Sequence, residues 1–122
     1  MAERTILVVD DEVDVLEMIE TGLRAAGYRI YLADSGERAI ELFERHPADL
    51  VICDIRMPGM DGITVITRLR EHDPDLPVVV LTGHLTDNTV EQCDQLGGIN
   101  VLGKPFLFRE LSKAVQVGLR RR

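Results

Sequence analysis

At 122 residues, with 45% hydrophobic and 29% charged side chains, the chain is long enough to bury one core without disulfides or structural zinc. Its formal charge of −7 argues against a domain that itself grips a nucleic-acid backbone, which takes clustered lysine and arginine. No apolar run reaches the ~20 residues that span a bilayer, and Met1-Ala2-Glu3-Arg4 lacks the basic start and apolar stretch of a signal peptide. The composition therefore points to one cytoplasmic domain over residues 1–122, away from membranes.

Apolar runs alternate with helical patterns along the chain. Ile6 to Val9 is a short continuous apolar run, expected of a strand covered on both faces, and it closes on Asp10 and Asp11. Val15, Leu16, Ile19, Leu23 and Ala26 then recur at helical spacing until Gly27. Tyr28 to Ala33 reads as a more mixed strand, nearer an edge. Ser35-Gly36 introduces a helix with Ala39, Ile40 and Phe43 on one face, ending before Pro47. Leu50 to Cys53 is the third strand and closes on Asp54. A loop with Pro58 and Gly59 leads to a helix marked by Ile63, Ile66 and Leu69.

Pro74 and Pro77 bracket the turn into Val78–Leu81, the most uniformly apolar run and a candidate central strand. Leu85 to Leu96 is a poorly amphipathic helix that Gly97-Gly98 ends. Ile99 to Leu102 makes a fifth strand, and Phe106 to Leu119 the last helix, with Leu107, Leu111, Ala114 and Val115 expected inward. Cys53 and Cys93 have no metal or redox spacing and read as small core hydrophobes. The terminal run Arg120-Arg121-Arg122 suits a helix end complementing its dipole; the sharper reading is the start of a linker. Five strand–helix units imply a doubly wound α/β fold, a parallel sheet with helices on both faces.

In such sheets ligands bind at the carboxyl ends of the strands. Asp10 and Asp11 follow strand one, Asp54 strand three, Thr82 strand four and Lys104 strand five, which places all five on one rim. Two ionised carboxylates at ~4 Å repel by about 4 kcal/mol at an effective dielectric near ~20. Such a cluster points to a bound hard cation, magnesium above all, or to a shared proton. A carboxylate beside that ion is suited to attack phosphorus, with Thr82 and Lys104 binding the transferred oxygens. Taken singly, Asp11 is also a good helix cap, Thr82 another, and Lys104 a solvated loop lysine.

Four elements in order carry a more specific signal: Val8-Val9-Asp10-Asp11-Glu12, Asp54-Ile55-Arg56-Met57-Pro58-Gly59-Met60-Asp61-Gly62, Leu81-Thr82-Gly83 and Gly103-Lys104-Pro105-Phe106. From Thr5 to Leu119 the chain resembles the receiver domain of two-component response regulators. The resemblance implies a flavodoxin-like five-stranded sheet of order 2-1-3-4-5. It implies a signalling domain, not a conventional enzyme, in which Asp54 accepts a phosphoryl group from a histidine kinase or phosphotransfer protein. Asp11 would bind Mg2+ (or Mn2+) directly and Asp10 mostly through water, with Asp54 and the Arg56 backbone carbonyl completing the protein ligands. Thr82 would be the switch hydroxyl and Lys104 the phosphate partner, followed by a cis bond to Pro105.

The same resemblance implies output through helix 4, strand 5 and helix 5 to an output domain or effector, with a phosphorylation-dependent homodimer possible. Direct nucleic-acid binding is not expected of this domain. Val101 departs from the pattern: receivers often carry Tyr or Phe three positions before the lysine. Arg56 and His84, two residues after Asp54 and Thr82, would flank the phosphoryl group and tune attacking water. Three rivals fit less well. A phosphatase of the haloacid dehalogenase type needs a second acid where Arg56 stands, and a flavin or nucleotide module would meet repulsion at Asp10-Asp11-Glu12. A degenerate receiver that binds partners without phosphorylation conflicts with the intact site, though Val101 is compatible with it.

Overall fold

The computed structural model describes residues 3–121, so Met1, Ala2 and the Arg122 end of the basic run lie outside the described residues. The elements are β1 Thr5–Val9, α1 Val13–Ala25, β2 Arg29–Ala33, α2 Gly36–Arg45, β3 Leu50–Asp54, α3 Gly62–His72, β4 Val78–Thr82, α4 Asp87–Leu96, β5 Ile99–Gly103 and α5 Phe108–Arg120. The strands form one sheet in the order β2-β1-β3-β4-β5, with every pairing parallel. The expected α/β architecture and strand order are thus present. β4 is an interior strand, as its apolar run implied, but the middle place belongs to β3.

Alternate strand residues serve opposite faces, because the side-chain period of a strand is two. Ile6, Val8, Leu50, Ile52, Val79 and Leu81 meet Leu16, Ile19 and Leu23 of α1 and Leu111 and Val115 of α5. Leu7, Val9, Val51 and Cys53 point the other way, to Ala39 and Phe43 of α2 and Val65 and Leu69 of α3. Val78 and Val80 complete that side with Ile66 and Cys93. This two-sided cover explains why the interior strands are continuous apolar runs. Both cysteines are free and buried, as small core hydrophobes should be. Burial first, and then the charges of Asp54 and Asp10, push the Cys53 thiol far above its ordinary value.

Two helix starts differ from the periodicity. α4 begins at Asp87 because Thr86 caps it, its Oγ1 accepting from the Thr89 amide at 3.2 Å. Leu85 is therefore in the preceding loop and 58% exposed. α5 begins at Phe108, with Leu107 as N-cap in extended backbone. The Glu110 carboxylate accepts from the Leu107 amide at 2.8 Å and fixes that turn. Leu107 is consequently outside the helical repeat and 54% exposed, not inward as expected. Leu111 and Val115 are fully buried and Ala114 packs beside them.

Candidate functional site

Register builds the site. Val9 pairs with Cys53, Asp54 with Leu81 and Thr82 with Gly103, so successive strand ends meet along one rim. Asp10 (0% exposed), Asp54 (5%) and Thr82 (1%) are the buried polar side chains among the described residues. All three stand where apolar strands run out, which is why the fold encloses them.

Lys104 ties the rim together. Its Nζ donates to Asp10 Oδ2 at 2.9 Å, Glu12 Oε1 at 3.1 Å and Asp54 Oδ2 at 3.2 Å. An ammonium has three N–H donors, and each has a carboxylate partner here. The second oxygens are also held: Asp10 Oδ1 accepts from the Glu12 amide at 2.9 Å and Asp54 Oδ1 from the Arg56 amide at 3.2 Å. The Lys104–Pro105 bond is cis. Burial works against the charge on Lys104, but its bonds to Asp10 and Glu12 and the nearby charges outweigh that and raise its pKa. Burial, then Asp10, raises the Asp54 carboxyl above the usual range, and Lys104 offsets only part of this.

The Thr82 hydroxyl is engaged locally. It donates to the His84 carbonyl at 3.0 Å and accepts from the His84 amide at 3.1 Å. Its own carbonyl accepts from the Lys104 amide at 2.7 Å, which fastens β4 to the lysine loop. Arg56, His84 and Asp11 are exposed at the rim. Val101 is half-buried and packs against Ile66, Val78, Val80 and Cys93.

The structure therefore brings Asp10, Asp54 and Lys104 into direct contact and sets Thr82 on the neighbouring strand end. Asp11 does not join the carboxylate group; Glu12 does, with oxygens of Asp10, Glu12 and Asp54 all within 4.8 Å of one another. The sequence pattern assigns Glu12 no role of its own. The signal in the sequence is an acid two residues past Asp10 at a helix start; in the structure its side chain makes no cap bond. Hard oxygens in a partly buried, acidic rim fit a hard divalent cation. No helix among the described residues is long and apolar enough to cross a membrane.

A doubly wound sheet of this order, with acids after β1 and β3, a hydroxyl on β4 and a lysine after β5, defines a receiver-type module. Residues 6–116 match the response regulator receiver domain model, and the chain belongs to that family. Among curated relatives, the transcriptional regulatory protein PrrA of Mycobacterium tuberculosis is 38% identical over 117 residues, 96% of this chain and 50% of that protein. The transcriptional regulatory protein ZraR of Escherichia coli is 34% identical over 114 residues, 93% of this chain but 26% of its own length. The chain thus spans half or less of these relatives.

Solved structures agree. A response regulator receiver protein from Sinorhizobium medicae superposes with a TM-score of 0.88 at 34% identity, covering 97% of this chain and 95% of that one. The chemotaxis protein CheY4 of Vibrio cholerae gives 0.92 at 28% identity, covering 97% and 100%.

Proposed function

We propose that this chain is a phosphoryl-accepting switch and that Asp54 is its acceptor. The observation that carries the reading is a nearly buried Asp54 carboxylate held 3.2 Å from the Lys104 ammonium, with Thr82 on the adjacent strand end. A carboxylate oxygen of Asp54 attacks phosphorus, the P–N bond of a donor phosphohistidine breaks, and its electrons leave with the imidazole. Lys104 stays beside the transferred oxygens and offsets their charge, and the Arg56 amide orients the attacking carboxylate. Asp10, Asp54 and the Arg56 carbonyl, with Asp11 turned in from its exposed position, would hold Mg2+ or Mn2+, which would supply further charge neutralisation on the phosphoryl oxygens. The donor is a histidine kinase or phosphotransfer protein.

The signal then leaves through Thr82. Its hydroxyl exchanges the His84 carbonyl for a phosphoryl oxygen, which frees the β4–α4 loop and biases the α4–β5–α5 face. With Val101 in place of an aromatic ring, that bias is carried by the loop and by α4 itself. The receiver of the switched face is an output domain or effector, or a second copy in a phosphorylation-dependent homodimer. PrrA and ZraR carry the name transcriptional regulatory protein, so a regulatory output domain in the same polypeptide is the partner of choice.

Intact-mass analysis after acetyl phosphate treatment tests the reading. Wild type gains one phosphoryl mass in the presence of Mg2+, and neither Asp54→Ala nor metal-stripped wild type does. A wild type that gains nothing even from a kinase donor would instead be a phosphorylation-independent binding module.

A further inference from the structure

Arg70 lies in the last turn of α3, far along the sheet from the acidic rim. Its Nε and Nη2 donate to the Leu76 carbonyl at 3.1 and 2.8 Å. Nη1 donates to the carbonyl of Leu96, the last residue of α4, at 3.0 Å, and Nη2 to that of Gly98 at 3.4 Å. One planar guanidinium therefore fastens the end of α3, the approach to β4, the end of α4 and the entry to β5. A lysine has no fork with which to reach so many acceptors.

The seat is shaped for it. Gly97 and Gly98 have φ of 73° and 66°, a region that L side chains rarely adopt. A Cβ on Gly98 would stand 3.0 Å from Arg70 Nη2. The Gly98 carbonyl also accepts from the Val78 amide at 3.2 Å, so the guanidinium shares an anchor with the sheet.

The rest of α4 is loosely held. Cys93 is the one buried side chain among those described on this helix, while Val90 is 40% and Leu96 36% exposed. At the other end, the chain enters the helix through the Thr82–His84 pair of hydrogen bonds. The helix is thus clamped at its C-terminal end by a charge-assisted network, whereas its leading end, capped locally by Thr86, is tied to the rim through the Thr82–His84 hydrogen bonds.

We propose that Arg70 is the fixed pivot of α4. A rearrangement that starts at Thr82 tilts the helix about its C-terminal end, rather than sliding it along the sheet or melting it. The direction of that motion rests on the switch reading above; the clamp itself does not.

Amide hydrogen exchange, resolved by NMR on the whole chain, tests it. In Arg70→Gln, exchange in the last turn of α4, including the Gly97 amide that bonds to Cys93, accelerates about tenfold or more, because hydrogen bonds to charged groups are the strong ones. Amides of β1 and β3 keep their wild-type rates. Arg70→Lys gives an intermediate effect and serves if Arg70→Gln loses the fold; Gly98→Ala disturbs the same seat from the opposite side. With Mg2+ and beryllofluoride, wild-type chemical-shift changes concentrate at 82–90 and spare 93–98, whereas in Arg70→Gln they spread through the helix.

Wild-type exchange in the last turn of both Arg70 variants overturns the clamp. Wild-type shift changes as large at 93–98 as at 82–90 overturn the pivot. A wild type that does not respond to beryllofluoride contradicts the switch reading and, with it, the tilt; the exchange measurement still decides the clamp.

Discussion

Asp54 is held in a conflict that contributes nothing to folding: a nearly buried carboxylate beside a second acid. Burial and Asp10 raise its carboxyl above the usual value, so the folded protein holds a proton there more tightly than the unfolded chain does. That preference is complete below the ordinary aspartate value of ~3.9 and is lost as pH rises through the higher folded value. The ionised carboxylate therefore destabilises the metal-free protein at neutral pH. Metal-free Asp54→Asn should melt above wild type at neutral pH, with the gap narrowing on acidification; calorimetry across pH 4 to 8 checks it, and an equal or lower melting temperature would contradict the assignment. Arg56 and His84 belong to a different part of the problem. Both are exposed at the rim, two residues past Asp54 and Thr82, and their proposed role is to tune the approach of attacking water. Arg56→Ala and His84→Ala should each change the dephosphorylation rate while leaving the melting temperature near wild type. Unchanged lifetimes in both would remove that role.

At the scale of elements, the β3–α3 junction decides where Asp54 points. The Gly62 amide donates to the Ile55 carbonyl at 2.9 Å, and α3 starts at Gly62 under an Asp61 cap whose Oδ1 accepts from the Thr64 amide at 2.9 Å. A Cβ on Gly62 would meet the Asp54 carbonyl oxygen and come within 2.8 Å of Ile55 Cα. Backbone on both sides leaves nothing that yields cheaply. Gly62→Ala should cost roughly 1–3 kcal/mol in a urea melt and slow phosphorylation, because the helix start is pushed away from the acceptor strand. The elements themselves were largely legible in the sequence, since runs such as Val78–Leu81 have no polar residue to confuse the period. Their starts were less so: nothing in the periodicity says that Glu110 captures the Leu107 amide, and that bond turns Leu107 outward. Thr86 does the same for α4, leaving Leu85 in the loop.

For the whole molecule, the crossing pattern explains why so much of the site could be read before the structure. Parallel strands all end on the same side, so acids, a hydroxyl and a lysine that each follow a strand must share a rim. Asp10, Asp54, Thr82 and Lys104 are therefore expected together, and the register and the Lys104 contacts agree. Glu12 among the lysine's hydrogen-bond partners and Asp11 outside the carboxylate group are not legible in the sequence, because side-chain direction in a loop follows no period. Nor does periodicity reveal the Arg70 clamp, which joins segments 26 and 28 residues apart through backbone carbonyls.

Chemical trapping of the phosphorylated protein decides whether Asp54 carries the phosphoryl group. Borohydride reduces an aspartyl phosphate to homoserine, which peptide mapping then locates. Homoserine is expected at position 54 and nowhere else, formed only after treatment with a phosphoryl donor and Mg2+. Homoserine at Asp10 or Asp11, or a phosphorylated protein with position 54 still aspartate, would contradict it.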